Sequence, residues 1–214
     1  DLRGIDLRGV DLRQADLHEA NLERADLRGA DIRNTDLRGC KLKGVKVKGI
    51  LYDDSTRFPG VLRPEKVPGY RIVPHSSLAE ANLKWADLRG ANLQEADMSQ
   101  ADLTGAYMDG AYLDNVNLSG ATLYNASLRD AVLDGANMES AFLHGTMLRG
   151  VSMRHVKLHG AFVLWVDLTE ADLRDADLSG TVLTEARLHR AVYKTPHASR
   201  RASAPPTPAC GLTA

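Results

Sequence analysis

A five-residue repeat runs through most of this chain and limits the folds that it can adopt. Residues 86–90 read Ala-Asp-Leu-Arg-Gly, and the same order recurs in phase along 81–115: a small residue, Asp or Asn, a large apolar residue, then two variable residues. Apolar residues spaced by five fit neither a helix, with a period of about 3.6, nor a strand, with a period of about 2. The repeat therefore predicts a chain of short extended steps separated by corners.

Within one pentad the alternation of a strand holds. Ala86 and Leu88 point to one side and Asp87 to the other, and the next two residues turn the chain so that the following pentad can repeat the pattern. Steps and corners repeated in this way wind a coil, and coils can stack at strand spacing, about 4.8 Å apart. We call the large apolar residue of each pentad its centre, and we expect the centres to fill the axis of the tube.

The motif Ala-(Asp/Asn)-Leu-x-x resembles that of the pentapeptide-repeat proteins, over Asp1–Ile50 and Ser76–Thr195. The resemblance implies a right-handed β-helix of square cross-section with four pentads per coil. The fold class that we expect is all-β: a right-handed quadrilateral (square) β-helix solenoid, with one inserted loop and a disordered C-terminal tail. The period of the repeat and its inward–outward pattern are read from the residues themselves. The handedness and the four-sided shape are implied by the resemblance.

The chain divides into four segments on this interpretation. Residues 1–50 form a first solenoid block of ten pentads, 51–75 a Pro-rich inserted loop, 76–195 a second solenoid block of 24 pentads, and 196–214 a Pro/Ala/Ser-rich tail expected to be disordered. Together the pentads predict a single rod roughly 40 Å long, at about 4.8 Å per coil.

The inserted loop interrupts the repeat and changes its phase. No proline interrupts a pentad, which favours backbone bonding throughout the repeat because proline cannot donate to a ladder. Long insertions are usually functional or disordered. We expect 51–75 to be an ordered flap held on the solenoid by Phe58 or Tyr70. It contains half of the eight prolines, namely Pro59, Pro64, Pro68 and Pro74.

Composition excludes several classes of protein. The chain of 214 residues has a formal net charge of −1 and no run of 18 apolar residues, so no membrane span or attachment is expected. Acid–base pairs such as Asp6 with Arg8 indicate solvated walls. Cys40 occupies a small inward position and Cys210 lies in the tail, which favours a reduced, cytoplasmic protein. The chain begins at Asp1 inside a repeat, so we expect it to be part of a longer protein.

No residues suggest catalysis or a cofactor. The sequence has no nucleophile elbow, phosphate-binding loop or zinc motif. Four histidines of the second block follow different centres and should lie on four different sides of the coil, so we expect neither a metal site nor catalytic residues. They are His144, His155, His159 and His189.

The 20-residue coil implied by the resemblance places residues 20 apart on one column. The outward residues of one column are apolar in its later coils, and so are residues of the column that lies two positions further along the chain. Exposed apolar patches often mark binding surfaces. The alternative is a cross-coil pair of Phe142 and Phe162 that only stabilises the tube. The candidate interface consists of Tyr124, Phe142, Phe162, Leu164, Trp165 and Val182.

A second candidate surface is acidic. Residues 95–139 carry eight acidic side chains against Arg129 alone. Some relatives implied by the resemblance imitate duplex DNA and bind DNA gyrase or a related type II topoisomerase. Duplex DNA carries about one charge per 1.7 Å, however, and the second block has less than half of that density. The residues of this alternative are Asp97, Asp102, Asp109, Asp114, Asp130 and Asp134.

The sequence therefore favours a non-enzymatic scaffold that presents rigid side-chain columns to a protein partner or to a second copy, with the loop 51–75 as a second surface. Direct binding to nucleic acid is not expected. The alternatives are a DNA-mimic regulator of gyrase, of the kind that confers quinolone resistance or self-resistance, and a targeting or scaffold module of a larger protein.

Overall fold

The structure is a computed structural model and describes residues 1–60, 62 and 64–193. The described residues contain no α-helix. Four short strands are present, β1 (Leu51–Tyr52), β2 (Tyr70–Arg71), β3 (Phe162–Leu164) and β4 (Val182–Thr184), with a 3-10 helix at Pro64–Lys66. The predicted tail 196–214 lies outside the described residues.

Parallel bridges between residues 20 apart join successive coils. Asp102 bridges Thr122, which in turn bridges Phe142, and strands β3 and β4 pair in the same register. Each bridge rests on backbone hydrogen bonds, such as that from the Leu103 amide to the Thr122 carbonyl at 2.8 Å. One coil therefore takes four pentads, and its extended steps are so short that most pair through a single residue. The chain is a strand-rich β-solenoid.

Each corner is a tight turn with a left-handed residue. The amide of Ala106 donates to the carbonyl of Leu103 at 3.0 Å and closes the turn. Within the described residues, the fifth residue of each pentad has a positive φ, from 53° at Trp165 to 74° at Gly49. A left-handed backbone costs a side-chain-bearing residue about 1–2 kcal/mol. This cost explains why Gly is so frequent at that position, with Asn and Asp among the other residues there.

The centres and the small residues fill the axis, as the alternation predicts. In the middle of the second block centres such as Leu103, Met108 and Leu113 are fully buried. Small inward positions that carry a polar atom satisfy it: Thr146 Oγ1 donates to the Leu123 carbonyl at 2.8 Å. Cys40 is buried as expected and its thiol donates to the Leu17 carbonyl at 3.0 Å.

The walls carry the acid–base pairs expected from the sequence. Arg174 and Asp172 lie two residues apart on one strand and form an ion pair at 2.6 Å. The carboxylate of Asp172 also accepts a hydrogen bond from the Arg174 amide. Exposed pairs of this kind contribute about 0–1 kcal/mol each. These pairs lie on the solvent-facing surface of the tube, whereas the hydrogen-bond ladder and the core stabilise the fold.

The ladder breaks between the two blocks. In the described residues the first block's bridges end at β1 with β2 and at Asp36 with Arg57, and the second block's begin at Ser77 with Asp97. No bridge there connects residues 1–72 with 76–193. The second tube therefore does not continue the hydrogen bonding of the first.

Side chains join the two tubes instead. Arg13 reaches Asp87 at 2.8 Å, and Arg33, one coil further along, donates to the Asp87 carbonyl. One pentad earlier in the second tube, the Asn82 amide donates to the hydroxyl of Tyr70, two coils beyond Arg33, at 3.1 Å. Residues 82–87 thus cross successive coils of the first tube, so the two axes are not collinear.

The expectation of a single rod is therefore wrong. Leu51 stands at an outward position of the first block, yet it is buried in the core of the second block together with Ile72. These side chains cover the first coil of the second tube, whose centres Leu83 and Leu88 are buried. An uncovered coil would expose apolar residues to water, and terminal repeats of solenoids need a cap. The wall of the first tube supplies that cap.

The segment from β1 to β2 contacts both cores. The ring of Phe58 meets that of Tyr52 edge-to-face, with centroids 5.5 Å apart, and packs against the core of the first block. Tyr70 packs against the core of the second block and bonds to Asn82. Both aromatic residues expected to hold this segment make such contacts.

The corner glycines allow a matched test of packing. Gly105 and Gly110 have φ of 67° and 65°, but an added Cβ at Gly105 would lie 2.1 Å from the Trp85 ring, whereas at Gly110 it would meet nothing within 4 Å. Both Ala variants lose about 1–2 kcal/mol to the left-handed backbone. We predict that Gly105→Ala loses a further 1–3 kcal/mol or so through overpacking, measured by urea unfolding. Equal losses in the two variants would contradict this packing.

The junction gives a second prediction. Hydrogen bonding to Arg89 and the nearby charge of Arg13 hold the pKa of Asp87 well below its usual range. Asp172 forms the same kind of pair with Arg174 but does not touch the first tube. We predict that Asp87→Asn lowers the free energy of unfolding by about 1–3 kcal/mol more than Asp172→Asn, because charged hydrogen bonds across the junction are lost.

Acid titration tests whether the Asp87 carboxylate stabilises the fold in its charged form. Since the pKa of Asp87 is lower in the folded state, its stabilising effect is present above the unfolded value of about 3.9 and is lost as the pH falls below it. The difference between wild type and Asp87→Asn should therefore shrink from pH 5 to pH 2 in the same unfolding assay. A difference in the free energy of unfolding that stays constant, or that grows on acidification, would contradict the proposed role of this carboxylate.

Candidate interaction surface

The predicted columns are present on one side of the second tube. Bridges connect Phe142 to Thr122 and to Phe162, and Phe162 to Val182. The neighbouring column carries Leu164, which belongs to β3. We call the six residues that this side brings together the aromatic face: Tyr124, Phe142, Phe162, Leu164, Trp165 and Val182.

The rings of the aromatic face are in direct contact. Phe142 and Phe162 stack with centroids 5.1 Å apart and an interplanar angle of 3°. Tyr124 meets Phe142 edge-to-face at 6.3 Å. Aromatic pairs at such distances contribute about 0.5–1.5 kcal/mol beyond the area that they bury. The stabilising cross-coil pair is therefore real, and it lies within a larger ring cluster.

His144 belongs to this cluster, although its sequence context suggested only an exposed, variable position. Its ring lies between Tyr124, at a centroid distance of 6.0 Å, and Trp165, at 4.9 Å. It links the Tyr124 edge of the face to the corner at Trp165. The signal was available in the column of residues 20 apart, because His144 stands between Tyr124 and Leu164 there.

Much of the face is open to solvent. Trp165 is 63% exposed, Val182 48%, Phe162 44% and Tyr124 39%. Phe142 and Leu164 are half-buried between them. A groove of about 460 Å³ runs over the cluster, and its lining contains no Asp, Glu, Lys or Arg. The lining residues are Tyr124, Asn125, Phe142, His144, Phe162 and Leu164.

The acidic candidates do not gather in the same way. Asp97 and Asp102 stand at successive bridge positions, hence on adjacent sides, and the remaining four lie on the two other sides. On the second of these sides, Asp114 accepts from Gln94 at 3.0 Å and Asp134 pairs with Arg154. On the first, Asp109 accepts from Ser127 and from the Arg129 amide, and Asp130 stands at the next corner.

Hydrogen bonds hold several of these carboxylates in the charged state. Bonds from Ser99 and Asn117 lower the pKa of Asp97. Burial acts to raise the pKa of Asp102, but bonds from Thr104 and Lys84 outweigh it, and the pKa falls. The same balance lowers the pKa of Asp134, where Arg154 and Ser152 donate. Two of the six charges are therefore neutralised by a neighbouring cation, Lys84 or Arg154.

His155 and His159 lie outside this cluster. His159 contacts Ser179 at 3.1 Å and His155 occupies a corner with a φ of 57°. Within the described ranges, no three His, Cys, Asp or Glu side chains are arranged to hold a metal ion. A separate search of those residues finds no helix long and apolar enough to cross a membrane.

The fold and the surface define a class: a β-solenoid of five-residue repeats with a solvent-facing aromatic cluster on one side. Comparison with protein families identifies the repeat. The family described as pentapeptide repeats matches this chain in eight copies, over residues 1–44, 81–120, 126–162 and 165–192. The chain belongs to this family.

Solved structures of pentapeptide repeat proteins are similar to this chain. HetL from the cyanobacterium Nostoc sp. strain PCC 7120, a pentapeptide repeat protein involved in heterocyst differentiation regulation, is 25% identical, with a TM-score of 0.50 over 90% of this chain and 91% of HetL. Rfr23 from the cyanobacterium Cyanothece 51142 is 31% identical over 44% of this chain and 64% of its own, with a TM-score of 0.43.

A third similar structure is QnrB1, a plasmid-mediated fluoroquinolone resistance protein. It is 18% identical, with a TM-score of 0.32 over 86% of this chain and 88% of QnrB1. A comparison with curated protein sequences gave no significant match.

Proposed function

We propose that this protein is a non-enzymatic scaffold whose aromatic face binds a protein partner or a second copy of the chain. The observation that carries the proposal is the open ring cluster around Phe142, His144 and Phe162. Exposed apolar patches on soluble proteins mark interaction sites. Aromatic residues are also enriched at protein interfaces and among the residues that dominate binding energy.

Rigidity supports the same proposal. Phe142, Phe162 and Val182 lie on consecutive coils joined by the backbone ladder. The two Phe side chains are also fixed by ring stacking before a partner arrives. Binding to a surface that is already ordered avoids the entropy cost of immobilising side chains. The tube thus serves as a frame that holds an ordered aromatic surface.

Our proposal extends to the finer architecture. We take the coil as square and right-handed, with 1–50 and 76–195 as solenoid blocks and 51–75 as an inserted loop. That loop offers a second surface beside the junction, where Arg71 pairs with Asp54 at 2.6 Å. A groove there is lined in part by Tyr52, Pro64 and Arg71.

Mimicry of DNA receives less support. A mimic needs rows of carboxylates that replace the two phosphate backbones, and the six candidates are spread over four sides. Lys84 and Arg154 pair with two of them. QnrB1 is a resistance protein by its description, but its similarity to this chain is too low to transfer that role. We predict that the protein at 10 µM neither inhibits supercoiling by DNA gyrase nor relieves quinolone inhibition. Either effect would favour the mimic.

Self-association provides the direct test of the aromatic face. We predict that sedimentation equilibrium detects self-association of the wild type at high concentration, and that Phe162→Asp with Leu164→Asp weakens it at least about tenfold, because two charges would be buried at the contact. The matched control is Tyr107→Asp with Tyr112→Asp, which changes two exposed tyrosines on other sides of the tube.

The control variant should associate like the wild type. A wild type that stays monomeric throughout the concentration range would leave the Phe142–Phe162 stack as a stabilising pair with no part in self-association. Equal weakening by both double variants would show that added charge alone, and not this face, controls association.

A further inference from the structure

We propose that the aromatic face binds a proline-rich segment of a partner protein. The segment adopts the polyproline II conformation and lies on the outer surface, parallel to the axis of the second tube. This inference rests on the proposed function and names the partner chemistry. Three observations support it: the lining of the groove, the coil spacing of the column that carries Tyr124 and Leu164, and two free hydrogen-bond donors at and beside the groove.

The lining suits proline. The residues around the groove include Tyr124, Phe142, His144 and Phe162 and no charged carboxylate, lysine or arginine. Proline rings pack on aromatic faces, and aromatic-lined grooves are the common receptor for proline-rich segments. An acidic or basic peptide would find no opposite charge in this lining, so the chemistry favours an uncharged ligand.

The spacing of the tube matches that of the ligand. Tyr124 and Leu164 stand in one column two coils apart, with His144 between them. Two coils span roughly 9.6 Å at strand spacing. A polyproline II helix repeats every three residues, about 9.3 Å along its axis. A proline segment parallel to the tube would therefore present the same side to Tyr124 and, one turn later, to Leu164 and the Trp165 corner.

Two donors are free at these positions. The Tyr124 hydroxyl and the Trp165 indole N–H have no hydrogen-bond partner within the described part of the chain, although both rings are held in the cluster. Polyproline II has no internal hydrogen bonds, so its carbonyls remain available to accept. Tyrosine and tryptophan thus combine an apolar ring for the proline side chains with a donor for the backbone.

Competing occupants make different demands. A second copy would bring its own rings, and its groove would offer the Tyr124 and Trp165 donors only isolated side-chain acceptors such as Asn125 Oδ1. A proline segment offers a backbone carbonyl at every residue and loses little entropy, because its backbone is already extended before binding. Its regular acceptors and its low entropy cost therefore favour the proline-rich ligand.

The probe is a ten-residue proline peptide, and the control peptide is a Gly-Ser sequence of equal length. Binding to the full chain is measured by isothermal titration calorimetry. We expect the proline peptide to bind and the Gly-Ser peptide not to bind at 1 mM. Trp165→Ala should weaken binding at least about tenfold, and Tyr124→Phe, which removes only the hydroxyl, about threefold to tenfold.

Trp85→Ala is the matched control. Trp85 and Trp165 are equally exposed, at 63%, and both occupy corners with positive φ. Trp85 lies far from the groove, four coils earlier on the same side, so its replacement should leave the affinity unchanged. Circular dichroism confirms that each variant keeps its fold.

A further variant tests the chain's own prolines within 205–208, and in it Pro205, Pro206 and Pro208 are replaced by Ser. Tighter peptide binding by this variant than by the wild type supports the inference, because it shows that a proline segment in cis competes for the groove. No binding by either protein overturns it. So does equal affinity for the two peptides, or equal weakening by Trp85→Ala and Trp165→Ala.

The two proposals fail separately. If the proline peptide does not bind, but self-association remains sensitive to Phe162→Asp with Leu164→Asp, the aromatic face is an interface between copies and only the present inference is lost. If neither occurs, both proposals fall.

Discussion

The hydrogen-bond ladder between coils is the interaction on which the rest of the structure depends. Each extended step exchanges hydrogen bonds with the coils on both sides: the Asp102 amide donates to the Ala81 carbonyl of the preceding coil, and the Leu103 amide donates to the Thr122 carbonyl of the following coil. Buried backbone groups need such partners. Because the ladder has a strict register of 20 residues within each block, it also decides which side chains become neighbours. The core and the aromatic face are both products of that register.

The period of the sequence predicted much of this arrangement. The inward position of Ala and Leu, the outward Asp–Arg pairs and the columns through Phe142 and Phe162 all follow from counting residues within a block. The left-handed corner could have been predicted as well, since Gly, Asn and Asp recur at the fifth position. The presence of Trp85 and Trp165 there weakens that signal, because a bulky residue is disfavoured at positive φ.

The junction could not be predicted from the period. Counting gives neighbours only while the ladder continues, and between Tyr52 and Ser76 the phase is lost. One outward residue carried a hint: Leu51 stands where the coils before it have Asp11 and Asp31. An apolar residue on a charged wall implies a contact, but it does not say with which surface. The direction of the second tube depends on Arg13, Arg33 and Asp87, which no local pattern connects. His144 joins the aromatic face through its ring and not as a metal ligand, so a comparison of histidine spacings with metal motifs does not reveal its role.

The coil length has a consequence for how such a molecule can change in length. Removing or adding 20 residues in the second block would shorten or lengthen the tube by one coil and leave every remaining side chain on its former side. Removing a single pentad between Phe142 and Phe162 would move all later residues onto the adjoining side, and Phe162 would no longer lie above Phe142. An insertion between coils of the aromatic face therefore keeps its residues on one side of the tube only when it adds a multiple of 20 residues.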